Sequence, residues 1–279
     1  MKIRVWGARG SIPVSGRDYI KYGGDTTCVE VRTKNDDIII IDAGTGLRRL
    51  GNLLVREGRT EYHMLFTHVH WDHLLGFPFF KPLYRKDTRI WMYGGQMAQD
   101  SIKALVSPVM NPPNFPVNYD NLSAHIEYQG ESELEYTIGS VEIQAIPISH
   151  PNEGLGFKLM EDGKSFVFLT DNELTYVHPG GRSFDDYLEF SRGADLLIHD
   201  TEFTPEEYKR TKTWGHSVYS DAVDMALRAG VSTLCLWHHN QDRKDEQVDW
   251  MLQDCRRLVK ENGGDLECIA AYQDMEISL

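Results

Sequence analysis

The sequence predicts an α/β fold in which two β-sheets pack face to face with helices on their outer sides. Two observations carry this expectation. The chain falls into halves of similar element order, each a series of short apolar strands joined by glycine turns and followed by helical periodicity. Its composition, 41% hydrophobic and 25% charged over 279 residues with 11 Pro and 24 Gly, is that of an ordinary globular protein and excludes disorder and collagen-like repeats. Layered α/β folds reach this length as one unit, and no repeat, low-complexity tract or linker interrupts the chain. Residues 1–279 are therefore read as a single domain.

The first half gives strands at Ile3–Trp6, Thr27–Arg32, Ile38–Ile41 and Met64–Thr67, the last running into a helix-like apolar stretch. A strand at Arg89–Tyr93 and a helix around Met97–Val106 follow. A proline-broken loop then runs from Ser107-Pro108 to Asn118 without a charged residue. Two hairpins come next, one turning at Gly139-Ser140 between Leu134–Ile138 and Val141–Ile148. The other turns at Asp162-Gly163 between Gly156–Met160 and Ser165–Leu169. Strand–helix pairs close the chain: Asp195–Ile198, then a helix over Ser217–Ala229 with Val218, Ala222, Met225 and Ala229 on one face, then Val231–Trp237. The last helix carries Val248, Met251, Leu252, Cys255, Leu258 and Val259, stops at Asn262-Gly263-Gly264, and leads to a final strand at Glu267–Tyr272.

The charge balance is 29 Lys and Arg against 42 Asp and Glu, or −13 with neutral histidines. The average field repels polyanions and offers no general attraction to nucleic acid or to an anionic membrane, which suits a small substrate better. Cys28, Cys235, Cys255 and Cys268 are widely spaced, three of them inside apolar periodic segments, and read as reduced buried thiols. The segment Met1–Gly7 enters strand alternation at once, with no apolar signal region, and no apolar run approaches the roughly 20 residues that span a bilayer. A cytoplasmic location without membrane contact is expected.

The most informative segment is Phe66-Thr67-His68-Val69-His70-Trp71-Asp72-His73, where three of 11 histidines and an aspartate crowd behind an apolar strand. Zinc takes imidazole nitrogen and carboxylate oxygen at about 2.0 to 2.2 Å, so donors on a tight loop at a strand end can surround it without distorting the core. His68 and His70 alternate on an extended loop and can reach one ion. Asp72 and His73 begin the next helix, point another way, and can hold a second.

Here the sequence resembles the metallo-β-lactamase superfamily, whose His-x-His-x-Asp-His motif stands as His68, His70, Asp72 and His73. The resemblance implies a four-layer αββα sandwich, an α/β fold with two mixed sheets inside and helices outside. It assigns His68, His70 and His150 to one metal, Asp72, His73 and His238 to another, and Asp171 as the carboxylate bridging them. His150, Asp171 and His238 each follow an apolar strand, as that family requires. His239 adjoins His238; neighbours on a strand face opposite ways, so one of the pair points at the metal, and the family's order favours His238.

Within the superfamily the chain is similar to the phosphodiesterase branch that includes tRNase Z and bacterial cyclic-nucleotide phosphodiesterases. The similarity rests on Trp6-Gly7-Ala8-Arg9-Gly10-Ser11-Ile12-Pro13, Tyr22-Gly23-Gly24-Asp25-Thr26-Thr27-Cys28, Ile41-Asp42-Ala43-Gly44-Thr45-Gly46, His199-Asp200-Thr201-Glu202-Phe203 and Gly215-His216-Ser217. The branch places a proton donor at His216, with Asp72 holding metal and orienting the water that the metals activate; read alone, His216 is a polar residue near a helix start. His199, Asp200 and Glu202 are candidate supports for His216, and Asp42 for the metal ligands. Arg9 reads as a solvated loop residue rather than an anion clamp.

One departure from tRNase Z matters. Residues 104 to 157 carry no Lys or Arg, but do carry Asp120, Glu127, Glu131, Glu133, Glu135, Glu142 and Glu153. Cationic contacts to phosphates dominate RNA affinity, so a long RNA is disfavoured and a small nucleotide-type phosphodiester expected. The expected cofactors are two divalent ions, zinc with manganese or iron as alternatives, and the resemblance adds a homodimer. The rivals are hydrolysis of a lactam, lactone or thioester, and a non-catalytic metal-bearing binding module. Secreted lactamases commonly place Cys where Asp171 stands and carry signal peptides; thioester hydrolases add a helical C-terminal region, whereas this chain ends in a strand. Flavo-diiron proteins have Glu where His70 stands.

Overall fold

The computed structural model describes residues 1–93, 103–104, 106–108, 110–113, 115–129 and 134–279. Two seven-stranded mixed sheets form its centre. The first takes β1 (Lys2–Gly7), β2 (Cys28–Arg32), β3 (Ile38–Ile41), β4 (Glu61–Leu65), β5 (Arg89–Tyr93) and β6 (His125–Gln129), and ends on the short β14 (Glu276–Ser278) beside β1. The second takes β7 (Glu135–Ile138), β8 (Val141–Pro147), β9 (Leu155–Glu161), β10 (Lys164–Leu169), β11 (Leu196–Asp200), β12 (Thr233–Trp237) and β13 (Glu267–Ala270), in that order. Each sheet opens with antiparallel pairs and closes with parallel ones: β3 to β6 in the first, β10 to β13 in the second.

Alternation along the strands explains the layering. In β3, Ile39 and Ile41 face the second sheet, while Ile38 and Ile40 pack outward. Phe166 and Phe168 of β10, with Cys235 and Trp237 of β12, complete the layer between the sheets. Strands buried on both faces read as continuous apolar runs, and these do. Outside the first sheet, α1 (Leu47–Arg56) lays Leu47, Leu50 and Leu54 onto Ile40 and Met64. Outside the second, α3 (Phe184–Phe190), α5 (Tyr219–Ala229) and α6 (Asp245–Glu261) cover Leu197, Leu234 and Leu236. The four-layer αββα arrangement is the one the sequence predicts.

Several expectations change. The strand at Met64–Thr67 runs instead over Glu61–Leu65, leaving Phe66 onward as loop. The helix-like stretch after it is one short turn, α2 (Trp71–Leu74), followed by 3-10 turns at Phe77–Phe79 and Lys81–Tyr84, because Pro78 and Pro82 fit the starts of such turns but not a helix interior. The helix around Met97–Val106 lies mostly outside the described residues. Ser107 and Pro108, expected to open a loop, are helical. The strand at Glu267–Tyr272 stops at Ala270, and β14 is the last strand. The four cysteines are unpaired and buried, and no helix among the described residues is long and apolar enough to cross a membrane.

Candidate metal centre

The carboxyl ends of the parallel strands of both sheets open at one edge of the sandwich, and the candidate residues lie on the loops that leave them. His68 and His70 follow β4; Asp72 and His73 sit in α2. From the second sheet, His150 follows β8, Asp171 follows β10 and His238 follows β12. Asp171 and His238, together with Asp42 at the end of β3, have left-handed backbones (φ 50°, 57° and 60°). Such conformations cost non-glycine residues about 1–3 kcal/mol each and collect at functional sites. Here they turn each chain sharply as it leaves its strand.

The side chains gather into two groups. Donor atoms of His68, His70 and His150 lie within 4.8 Å of one another, and so do those of Asp72, His73, Asp171 and His238. Asp171 reaches both. Its Oδ2 is 3.6 Å from His68 Nε2, 3.9 Å from His150 Nε2 and 3.3 Å from His238 Nε2, and its Oδ1 is 3.4 Å from His73 Nε2. Asp72 Oδ2 is 3.3 Å from His73 Nε2 and 3.2 Å from His238 Nε2. His70 differs from the others, turning Nδ1 to His150 Nε2 at 3.1 Å and Nε2 to the Asn152 amide at 3.3 Å.

Outer partners fix which nitrogen faces inward. His73 Nδ1 donates to Asp42 Oδ2 (2.7 Å), His238 Nδ1 to Glu202 Oε2 (2.8 Å) and His150 Nδ1 to the Gly215 carbonyl (3.0 Å). Thr67 Oγ1 donates to Asp42 Oδ2 (2.7 Å) and so accepts from His68 Nδ1 (3.1 Å). Every one of these bonds turns Nε2 into the site, where it offers a lone pair to a cation once the ring is neutral. His68 Nε2 and His73 Nε2 are buried without a hydrogen-bond partner. A divalent cation satisfies both, and a donor set of nitrogen and oxygen alone suits zinc, manganese or iron.

The electrostatics differ between the groups. Burial holds His68 and His70 below the ordinary histidine range and takes His150 down to about 3, so this group is neutral and ready to ligate. Burial opposes charge on His73 and His238 too, yet Asp72 and Asp171 beside His73, and Asp171, Asp72 and Glu202 beside His238, hold both imidazoliums well above that range. Asp171, against the same burial, is held well below the usual carboxylate range by His238, His73 and His68.

The remaining candidates sort plainly. His216, its side chain 12% exposed, stacks on His238 with ring centroids 4.6 Å apart, and its Nδ1 donates to Asp200 Oδ2 (2.7 Å) with Glu202 Oε2 at 3.3 Å. His199, expected to help, does not: its Nδ1 bonds the Asp200 carbonyl and its Nε2 faces Asn172, because β11 alternation turns it from the site. His239 donates to the Ala271 carbonyl instead (2.9 Å). Arg9 is no solvated loop residue. It is buried and donates to the carbonyls of Gly23, Asn240 and Arg243, tying three loops together.

The glycine-rich N-terminal motif lines the centre. Ser11 N donates to Asp72 Oδ2 (2.9 Å), and a Cβ on Gly10 would stand 2.4 Å from the His238 ring. Sequence reasoning did not single out Thr67 or Glu173, whose roles depend on partners far along the chain. The Asp42 carboxylate, raised by burial against the pull of His73 and Thr67, orients two histidines at once. Asp42→Asn keeps its shape but loses an acceptor, and divalent-metal affinity, read by chelator competition, is expected to fall roughly 10- to 100-fold.

Comparison with known proteins agrees with this fold. The sequence model of the β-lactamase superfamily domain matches residues 38–239. Ribonuclease Z of Haloarcula marismortui is 26% identical over 85% of this chain and 86% of its own. The crystal structure of the metallo-β-lactamase fold protein YhfI from Bacillus subtilis superposes with a TM-score of 0.72 at 16% identity, covering 99% of this chain and 98% of that one. Human tRNase Z, short form, gives 0.64 at 18% identity over 100% and 99%. With its motif residues gathered at one edge of an αββα sandwich and the family model spanning most of its length, the chain belongs to the metallo-β-lactamase superfamily.

Proposed function

We propose that this metal-dependent hydrolase cleaves a small nucleotide-type phosphodiester at a two-metal centre. His68, His70 and His150 would hold one divalent cation, Asp72, His73 and His238 the other, and Asp171 both. The observation that carries the reading is the pair of adjacent donor groups that meet at the Asp171 carboxylate, its Oδ2 near His68, His150 and His238 and its Oδ1 near His73. Zinc is the proposed metal, with manganese or iron as alternatives. Since the donors come from both sheets, residues 1–279 would work as one domain.

When bound, two such cations supply charge neutralisation at the phosphate and lower the pKa of water toward neutrality. The protein's own groups do the rest. Asp72, fixed by the Ser11 amide, can orient the attacking water. His216 faces the same space. Burial would pull it down, but Glu202 and Asp200 raise it to about 9, so it carries a proton at neutral pH for the leaving oxygen.

Relatives named ribonuclease Z support phosphodiester chemistry and favour a second reading, in which the substrate is RNA. Against it stand the carboxylates of residues 104 to 157, with no cation among them. The test is a panel of cyclic nucleotides, dinucleotides, pre-tRNA, a β-lactam and a glutathione thioester, assayed on protein of measured metal content. Turnover of the small phosphodiesters, with the lactam and thioester inert, is expected. The reverse pattern overturns the proposal, and robust pre-tRNA processing at physiological salt selects the RNA reading.

A further inference from the structure

Glu173 lies two residues past Asp171, is 1% exposed, and takes no part in either donor group. Its carboxylate is nevertheless fully used. Oε1 accepts from the Tyr208 hydroxyl and from Thr213 N (2.8 Å); Oε2 accepts from Gly215 N (2.8 Å) and from His178 Nε2 (2.8 Å). Two of these donors are alternate backbone amides of one turn, a concave arrangement suited to an anion. A buried carboxylate is costly to keep, so a position that served packing alone would be better filled by an apolar side chain.

The turn it grips is strained and central. Thr213 has φ +74°, a left-handed value that a β-branched residue keeps only where its surroundings over-determine it, and Gly215 has φ +94°, which glycine adopts without strain. The Gly215 carbonyl accepts from His150 Nδ1 (3.0 Å), and a Cβ on Gly215 would stand 2.0 Å from that nitrogen. The next residue is His216, held by Asp200. Ser217 Oγ then donates back to the Asn172 carbonyl and accepts from Leu174 N (3.0 Å). The segment carrying Asp171 and the segment carrying His216 are thus laced together, with Glu173 as the only side chain among the described residues that bonds both Thr213 and Gly215 amides.

We propose that Glu173 is a positioning residue whose carboxylate sets the Thr213–Gly215 turn and, through it, the directions of the His150 and His216 rings. The inference rests on the proposed role of His216 as proton donor. Glu173→Gln, close in shape, and Glu173→Ala, more disruptive, are compared with Tyr208→Phe, which removes a bond to the same carboxylate but none to the turn. Three quantities are measured: bound metal, kcat and KM on a dinucleotide and on bis-p-nitrophenyl phosphate, and hydrogen exchange of the turn amides in the metal-free protein. For Glu173→Gln we expect metal retained, kcat on the dinucleotide lower by about 10- to 100-fold with KM little moved, a several-fold smaller loss on the aryl ester, and faster exchange at Thr213 and Gly215. Tyr208→Phe should keep the wild-type ratio between substrates. Equal losses on both substrates in a folded, metal-loaded Glu173→Gln, unchanged amide exchange, or the same substrate pattern in Tyr208→Phe would each overturn the proposal. Failure of the donor reading is separately visible: His216→Ala would then treat both substrates alike, while exchange still reports whether Glu173 holds the turn.

Discussion

Asp171→Ala is expected to remove both metals and to lower phosphodiester turnover by roughly 10³-fold or more. Metal-ion stabilisation of a phosphoryl transition state is worth several kcal/mol, and each 1.36 kcal/mol is tenfold in rate. Asp171 has histidines of both groups around it, His68, His150 and His238 near Oδ2 and His73 near Oδ1, whereas the Asp72 oxygen nears only His73 and His238. Metal analysis after gel filtration, together with the assay, checks it; a variant that keeps two ions per chain would remove Asp171 from the bridging position. The same pairs set the pH dependence. Carboxylates hold His73 and His238 protonated above the ordinary histidine range, so metal must displace protons there, and affinity rises with pH. Metal content and activity should both decline as pH falls, and the decline should begin above the ordinary histidine range, where His73 and His238 take up protons.

His216→Ala is expected to cost on the order of 10² to 10⁴ in kcat toward nucleotide substrates, far less toward bis-p-nitrophenyl phosphate, with metal content unchanged. A ribose alkoxide is a strong base that needs a proton as the P–O bond breaks, whereas p-nitrophenolate leaves readily without one. The structure supplies the means: an imidazole with Nδ1 fixed on Asp200, Glu202 close by, and the ring against His238. Equal losses on both substrates would make His216 a phosphate-binding group, and lost metal would make it a ligand or a support for one. Full activity on both would leave it a polar residue near the start of α5.

The strands that build the interior were readable because burial on both faces writes them as unbroken apolar runs, as in Ile38–Ile41 and Phe166–Leu169. The two outermost strands of the first sheet were not. His125–Gln129 is half-exposed and Glu276–Ser278 has three residues, and edge strands carry the polar residues that suppress further pairing. α1 was missed although its pattern is amphipathic, with Leu47, Leu50 and Leu54 buried on one face and Arg48, Arg49 and Arg56 off it, because Gly46 and Gly51 read as turn signals in so short a stretch. The seven-residue helices Phe184–Phe190 and α4 (Pro205–Thr211) are too short for periodicity to show. Their capping boxes, Ser183 with Asp186 and Thr204 with Glu207, were the available signal.

The site was legible to the extent that its residues cluster in sequence. His68 to His73 stand out through crowding alone, and the later candidates through their place after apolar strands. The orientation of each ring was not legible, because it depends on Asp42, Glu202 and the Gly215 carbonyl, each of which lies at least 31 residues from its histidine. The reading of Arg9 failed for a related reason. Its three carbonyl partners lie on loops that meet only in the fold, at separations of up to 234 residues.

The two sheets contribute unequally but jointly to the donor set, four residues between His68 and His73 from one side and His150, Asp171 and His238 from the other. No unfolded or half-assembled chain presents that set, because its donors leave strands of both sheets and span residues 68 to 238. By mass action, a cation that binds only the docked sheets acts as a reversible cross-link between the halves. At a free concentration a thousand times its dissociation constant it would add about 4 kcal/mol to their association. The centre that performs the chemistry would then also set the order of assembly: sheets first, cations last, and the halves parting most easily where metal is scarce.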